Sequence, residues 1–422
     1  MAEESILTDD FIRQLINVGE VDILVAVPTH NDAETVAPAL KAIQAGILNS
    51  FPRERAVIIN ADGGSTDGTS DVVIGASIND LHHAFDGYTL RTLHCISTQY
   101  ASAPSIGTAL RTILAASELL RAKACAMISP ESTGIDAAWI SALLRPIYRD
   151  NFDLTTPIYR RHKFEGVLLS NLIYPMTRAL YGQRIREPYA PDFGFSGRLG
   201  SRFLSQQNWN VESERYDPRM GITVTALTEG YRVCQTFLGA RGRTERQSRD
   251  LVHAMRQTIG VLFSSLEAHF DVWGSKSGSQ SVPTQGGGCD VTLEPVRVNR
   301  KQLKQMFSAG VSELGSVLSS ILTTSTLSEL REIANLAEED FYFPPQLWVK
   351  TVYEFAASYY KSVISRDHIL QALVPLYRGR MFTFLVENRS SSAEDVERNI
   401  ENLCLEFERL KPYLVELWNS GK

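Results

Sequence analysis

Two short polar segments carry the residues best suited to ligand chemistry. Pro28-Thr29-His30-Asn31-Asp32 closes one apolar run, and Asp62-Gly63-Gly64-Ser65-Thr66-Asp67-Gly68-Thr69 closes another. Each offers carboxylate, amide or hydroxyl groups just where a helical pattern begins. Glycines let a backbone come close to a ligand, and helix N-termini favour phosphate. A third apolar run, 124–129, ends in Ser129-Pro130-Glu131 and adds one more carboxylate.

The elements that must position these residues follow from the hydrophobic pattern. Strands are expected at 22–27, 56–60, 90–96 and 124–129, and helices at about 33–48, 67–76, 105–122 and 136–149. Ser65-Thr66-Asp67 reads as a helix N-cap run, and Asp136 as the cap of the helix carrying Trp139 and Leu143. Strands alternating with helices imply a parallel α/β sheet. Ligands then bind at the C-terminal strand edge, where both polar segments would lie.

Composition excludes several classes. The 422 residues are 44% hydrophobic and 21% charged, with Lys+Arg 42 against Asp+Glu 48 and a net charge of −6. No basic field points to nucleic acid. Five scattered cysteines, Cys95, Cys125, Cys234, Cys289 and Cys404, argue for reduced thiols in a cytoplasm and against a disulfide frame or zinc site. The acidic, amphipathic start, MAEESILTDDFIRQL, is not a signal peptide. No apolar run reaches the roughly 18 residues of a membrane helix.

Further along, a helical stretch (167–181) precedes an irregular loop, 186–198, rich in Gly, Pro and aromatics. Residues 245–273 read as an amphipathic helix. Gly274–Gly288 reads as a flexible surface loop, and the chain beyond about 295 is almost entirely helical in pattern.

These segments resemble a known family. PTHND and DGGSTDGT resemble the nucleotide-binding half of a GT-A glycosyltransferase. The segments 157–166 (PIYRRHKFEG), 174–182 (YPMTRALYG) and 192–197 (DFGFSG), with 375–380 and 406–414 near the C-terminus, resemble the glucosylglycerate, glucosyl-3-phosphoglycerate and mannosylglycerate synthases. The likeness implies an α/β GT-A (Rossmann-like) domain over 1–245, a helix and Gly/Ser loop over 246–297, and a C-terminal helical region over 298–422. It implies a retaining transfer of glucose from a GDP-, UDP- or ADP-linked donor to glycerate or a similar small hydroxy acid, in a cytoplasmic homodimer without nucleic-acid or membrane partners. Pro28, Thr29, Asn31, Asp32, Asp62, Gly107, Arg241 and Arg243 fall at donor-binding positions. His162, Lys163, Gly166, Asp192 and Gly194 fall on the acceptor side. Mg2+ or Mn2+ is the implied cofactor, and Glu131 stands at the metal position.

The chain departs from the family where chemistry is done. Ser129-Pro130-Glu131 replaces Asp-x-Asp, Thr223 replaces the acid after Gly-Ile, and Ala240-Arg241-Gly242-Arg243 replaces a metal-ligating histidine segment. Ser105-Ile106-Gly107 lacks the expected lysine, and Val167 stands where an acceptor-side threonine is expected. The catalytic residues are left unassigned. Two readings follow. Arg241 and Arg243 take over the charge of a metal, or the chain binds a nucleotide sugar or a partner without turnover. Blander roles also fit: Asp62 in a turn, Asn31 and Asp32 as helix caps, Asp192 in a loop hydrogen bond, and Arg241, Arg243 and Arg246 on a solvated face.

Overall fold

The computed structural model describes residues 6–76, 78–79, 92–100, 104–132, 134–206, 217–240, 251–287 and 300–420. The chain divides into two compact units, each drawn from separated stretches. One comprises Met1–Arg160, Tyr189–Ser248 and Val282–Val291, the other Arg161–Pro188, Arg249–Ser281 and Thr292–Lys422.

The described strands are β1 Ile23–Thr29, β2 Ala56–Asp62, β3 Ile78–Asn79, β4 Thr92–Gln99, β5 Ala124–Met127, β6 Leu154–Arg160, β7 Gln183–Arg184, β8 Phe193–Ser196, β9 Val233–Ala240, β10 Gln280–Ser281 and β11 Thr284–Gln285. Nine form the sheet of the first unit, in the order β11-β9-β6-β8-β5-β1-β2-β4-β3. Pairing is parallel along β5-β1-β2-β4 and along β6-β9-β11, while β8 runs antiparallel to both β5 and β6. This is the mixed α/β, mainly parallel sheet the strand–helix alternation predicts.

The uninterrupted apolar runs explain the centre. Ile23–Val27 and Ala56–Ile59 are buried throughout, as strands covered on both faces must be. Helices Ala33–Ser50 and Ala137–Asp150 pack Val36, Leu40, Ile43, Trp139, Ile140 and Leu143 into one cluster with β1, β2 and β5. The latter helix begins as expected: the Asp136 carboxylate accepts from the Trp139 N–H at 3.1 Å. The third helix differs. It starts at Thr69, with Gly68 at the N-cap and Asp67 Oδ1 accepting from the Thr69 N–H at 3.1 Å.

Strand order reverses at β1. The chain builds outward through β2 and β4, then returns to place β5 on the other side of β1. Such a reversal opens a crevice at the carboxyl ends of the two central strands.

The second unit is largely helical. Its longest described helices are Ala393–Asn419, Arg366–Glu387, Leu251–Ala268 and Pro345–Lys361. Every residue of the helix Tyr174–Tyr181 is buried. Arg178 in it donates to Glu401 at 2.6 and 2.8 Å and to Glu408 at 2.7 Å, and Lys411 donates to the Ala179, Leu180 and Lys276 carbonyls. The stretch expected to be a plain Gly/Ser loop is ordered in part by pairing: β10 adds to β7 in this unit, and β11 to β9 in the first. No helix among the described residues is long and apolar enough to cross a membrane.

Candidate functional site

A cleft of about 420 Å³ lies at the strand-order reversal of the first unit. Pro28, Thr29, His30 and Asp32 line it after β1, Tyr100 after β4, and Ser129, Pro130 and Glu131 after β5. Pro104, Ser105, Ile106 and Ala109 close one wall, with Pro191 and Arg219 also on the lining.

The two polar loops after β1 and β2 are fastened to each other. Thr29 Oγ1 donates to Asp62 Oδ1 at 2.8 Å and accepts from Asn60 Nδ2 at 2.7 Å. The Gly63 N–H donates to the Thr29 carbonyl. Asn31, at φ 58°, donates its N–H to Ser65 Oγ and accepts from the Thr66 N–H. The Asp32 N–H reaches Thr69 Oγ1, and the Ala33 N–H reaches Asp67 Oδ2. Asp67 therefore braces two loops while its Oδ1 accepts from the Thr69 N–H at the start of its own helix. The Thr69 hydroxyl, then the Ala33 N–H, hold its carboxyl below the usual range.

Asp62 is fully buried. Its carboxylate accepts from Thr29, the Gly64 and Ser65 N–H groups and Ser65 Oγ, at 2.5–3.1 Å. It shapes the loop and does not line the cleft. Asp32 does line the cleft, with Oδ2 accepting from the His30 N–H at 2.8 Å. Next to them Gly63 has no room for a side chain: a Cβ there would sit 2.9 Å from Tyr100 Oη and 3.3 Å from His30 Nδ1.

The wall beyond Tyr100 is the N-terminus of helix Ile106–Leu119. Ser105 caps it, its hydroxyl accepting from the Thr108 N–H at 3.0 Å. Tyr100 Oη donates to the Ser105 carbonyl at 3.2 Å. The N–H groups of Ile106 and Gly107 have no acceptor among the described residues. They are the first-turn donors of a 14-residue helix and favour an anion. Ile106 is on the cleft lining, whereas Gly107, expected at a donor position, is buried and not on it.

Opposite, Asp192 governs the loop after β5. It is fully buried and accepts from the Ser129 N–H at 2.8 Å, Ser132 Oγ at 2.7 Å and Tyr159 Oη at 2.5 Å. A bulge in the β6–β9 pairing at Ile158/Tyr159 lies beside this contact, a common device for re-aiming a side chain. Asp192 so fixes the segment that presents Glu131. The Glu131 carboxylate makes no hydrogen bond or ion pair among the described residues.

Other expected site residues lie elsewhere. Gly194 sits in β8 against helix Ala137–Asp150, where a Cβ would meet the Leu143 carbonyl at 2.5 Å. Thr223 is buried in the helix Arg219–Thr228 and is not on the cleft lining. His162, Lys163 and Gly166 belong to the second unit. There Lys163 Nζ donates to the Arg389 and Ser391 carbonyls, and His162 Nδ1 accepts from the Phe164 N–H. Arg241 and Arg243 lie outside the described residues.

Sequence reasoning missed Arg219. Its guanidinium lies 4.7 Å over the Tyr189 ring, donates to Asp217 through Nε and Nη2, and reaches Tyr189 Oη at 2.9 Å. Tyr189 Oη in turn donates to Asp217 at 2.8 Å. Burial would lower the Arg219 pKa, but Asp217 and Tyr189 raise it above the ordinary value, so its charge is permanent.

A divalent ion needs oxygen or nitrogen ligands converging on one point. Among the described residues no group of three or more His, Cys, Asp or Glu side chains could hold one. The donor set does not make a metal site by itself, and Glu131 is a single carboxylate.

No family model matches the chain, and no curated protein does. Similar solved structures include glucosyl-3-phosphoglycerate synthase from Mycobacterium tuberculosis with Mn2+, UDP and glucosyl-3-phosphoglycerate, at 16% identity over 66% of this chain and 88% of that one, TM-score 0.40. The same enzyme with phosphoglyceric acid matches at 17% identity over 68% and 94%, TM-score 0.41. Without ligands named it matches at 20% identity over 60% and 84%, TM-score 0.39. At these identities and scores the likeness assigns neither family nor activity.

Proposed function

We propose that this chain is a nucleotide-sugar-dependent glycosyltransferase that transfers glucose, with retention, to glycerate or a similar small hydroxy acid. One observation carries the reading: at the strand-order reversal the loop after β1, fastened to the polar loop after β2, lines a cleft that also takes in the N-terminus of helix Ile106–Leu119, where the Ile106 amide has no acceptor among the described residues. A nucleoside diphosphate needs that combination of polar rim and anion-binding edge. The segments at 157–166, 174–182 and 192–197 support the choice of sugar and acceptor.

In this reading the loop from Pro28 to Asp32, braced by the Asp62–Thr69 loop, bounds the nucleoside pocket, and Tyr100 offers an aromatic wall. The Ile106 amide faces the diphosphate as it leaves. The acceptor hydroxyl attacks the anomeric carbon from the side the diphosphate vacates, and its proton passes to the leaving oxygens. Glu131 faces the same cleft. UDP-, GDP- and ADP-glucose incubated with D-glycerate, with Mg2+ or in EDTA, should yield a glucosylated hydroxy acid and the free nucleoside diphosphate. A folded sample giving no product with any donor, in either condition, overturns the proposal.

The lone Glu131 and the buried Thr223 favour a second reading, binding without turnover. Calorimetry distinguishes them: nucleotide affinity with no product supports it, and sustained turnover excludes it.

A further inference from the structure

The cleft holds acidic, neutral and basic groups, but Arg219 is the only permanently cationic side chain among its described lining residues. We propose that Arg219 is the charge that receives the diphosphate, in the role a divalent ion usually fills. The inference rests on the nucleotide-sugar reading.

Three features support it. First, the guanidinium is rigid. Its central carbon lies 4.7 Å over the Tyr189 ring while Asp217 and the Tyr189 hydroxyl take Nε and Nη2, so little side-chain entropy is lost when an anion binds. Second, the arrangement leaves Nη1 over. It donates to no group among the described residues, and a charge-assisted N–H suits a phosphate oxygen well. Third, the charge shares the cleft lining with Ile106, whose amide opens the helix Ile106–Leu119. A diphosphate in that cleft would meet both a full positive charge and a helix dipole.

Asp217 does not cancel this role. Each carboxylate oxygen already faces Arg219 or Tyr189, and Asp217 is buried and off the cleft lining on which Arg219 stands. A metal ion entering the cleft would meet Arg219, which repels it, and the described residues supply no ligand cluster to hold it.

The test is calorimetry in EDTA with UDP, GDP and ADP and with uridine, guanosine and adenosine. The unmodified protein should prefer one diphosphate over its nucleoside without metal. In Arg219→Gln that preference should fall about 10- to 100-fold, the worth of a charged hydrogen bond, while nucleoside affinity stays. Arg219→Lys should restore part of it. Because Arg219→Gln orphans Asp217, the double variant Asp217→Asn/Arg219→Gln should show the same loss at an unchanged melting temperature. A preference kept in both Gln variants overturns the assignment and leaves the nucleotide reading standing. A preference that appears only with Mg2+ overturns it equally. No affinity for any nucleotide, with or without Mg2+, overturns the nucleotide reading and this inference together.

Discussion

Asp62 illustrates how a side chain can serve a site without facing it. The sequence leaves it between nucleotide contact and turn residue. The structure turns all its acceptor capacity inward, onto Thr29, Gly64 and Ser65. Asp62→Ala should therefore destabilise the protein by about 3 kcal/mol, the scale of losing charged hydrogen bonds at a buried position, and weaken nucleotide binding with it. Urea melts and calorimetry check this; binding lost at unchanged stability would point to direct contact instead. The residue types after each strand are visible in sequence because Gly, Asp, Asn and Ser have local turn chemistry. Arg219 is not visible. Tyr189 lies 30 residues away and Asp217 two, and no local pattern announces that they close on one guanidinium. Arg241 and Arg243, where the sequence put the charge, lie outside the described residues.

At the scale of elements, strand and helix positions follow closely from the apolar runs, and Asp136 caps its helix as expected. What periodicity does not disclose is β8. FGFS is too short to reveal that it runs antiparallel between β5 and β6 and delivers Asp192 to the loop after β5. At the opposite end of these strands Asp153 ties them together. It accepts from Ser196 Oγ at 2.8 Å, twice from Arg198 at 2.6 Å, and from the Arg232 N–H at 3.1 Å. Burial pushes its pKa up, and Arg198, Ser196 and Arg232 more than reverse the push, leaving it below the ordinary 3.8. A carboxyl with a lower pKa folded than unfolded stabilises above its unfolded pKa, and that contribution fades as pH falls through the folded value. Asp153→Asn should therefore lower stability at neutral pH and flatten its fall below about pH 4, as acid titrations of the melting temperature would show. An unchanged acid limb would exclude the role.

At the scale of the whole molecule, the helical unit is assembled from three separated stretches, although the C-terminal pattern reads in sequence as one block from about residue 298. Helices look alike wherever they pack, so periodicity cannot say that 161–188 joins residues beyond 300. A chain ended at residue 297 would leave the buried Arg178 without Glu401 and Glu408. Breaking a buried ion pair costs about 3–5 kcal/mol, and the apolar faces of Pro345–Lys361 and Ala393–Asn419 would be lost too. Calorimetric melts should show no cooperative transition for the helical part of such a chain; an intact one would refute this. The same connectivity sets a clock. Arg178 and Glu401 are 223 residues apart, on the order of ten seconds or more of synthesis at about 5–20 residues per second. For that interval Tyr174–Tyr181, a helix buried on every side in the finished protein, leaves the ribosome with none of its C-terminal partners made, and the nascent chain must be kept from aggregating until they arrive.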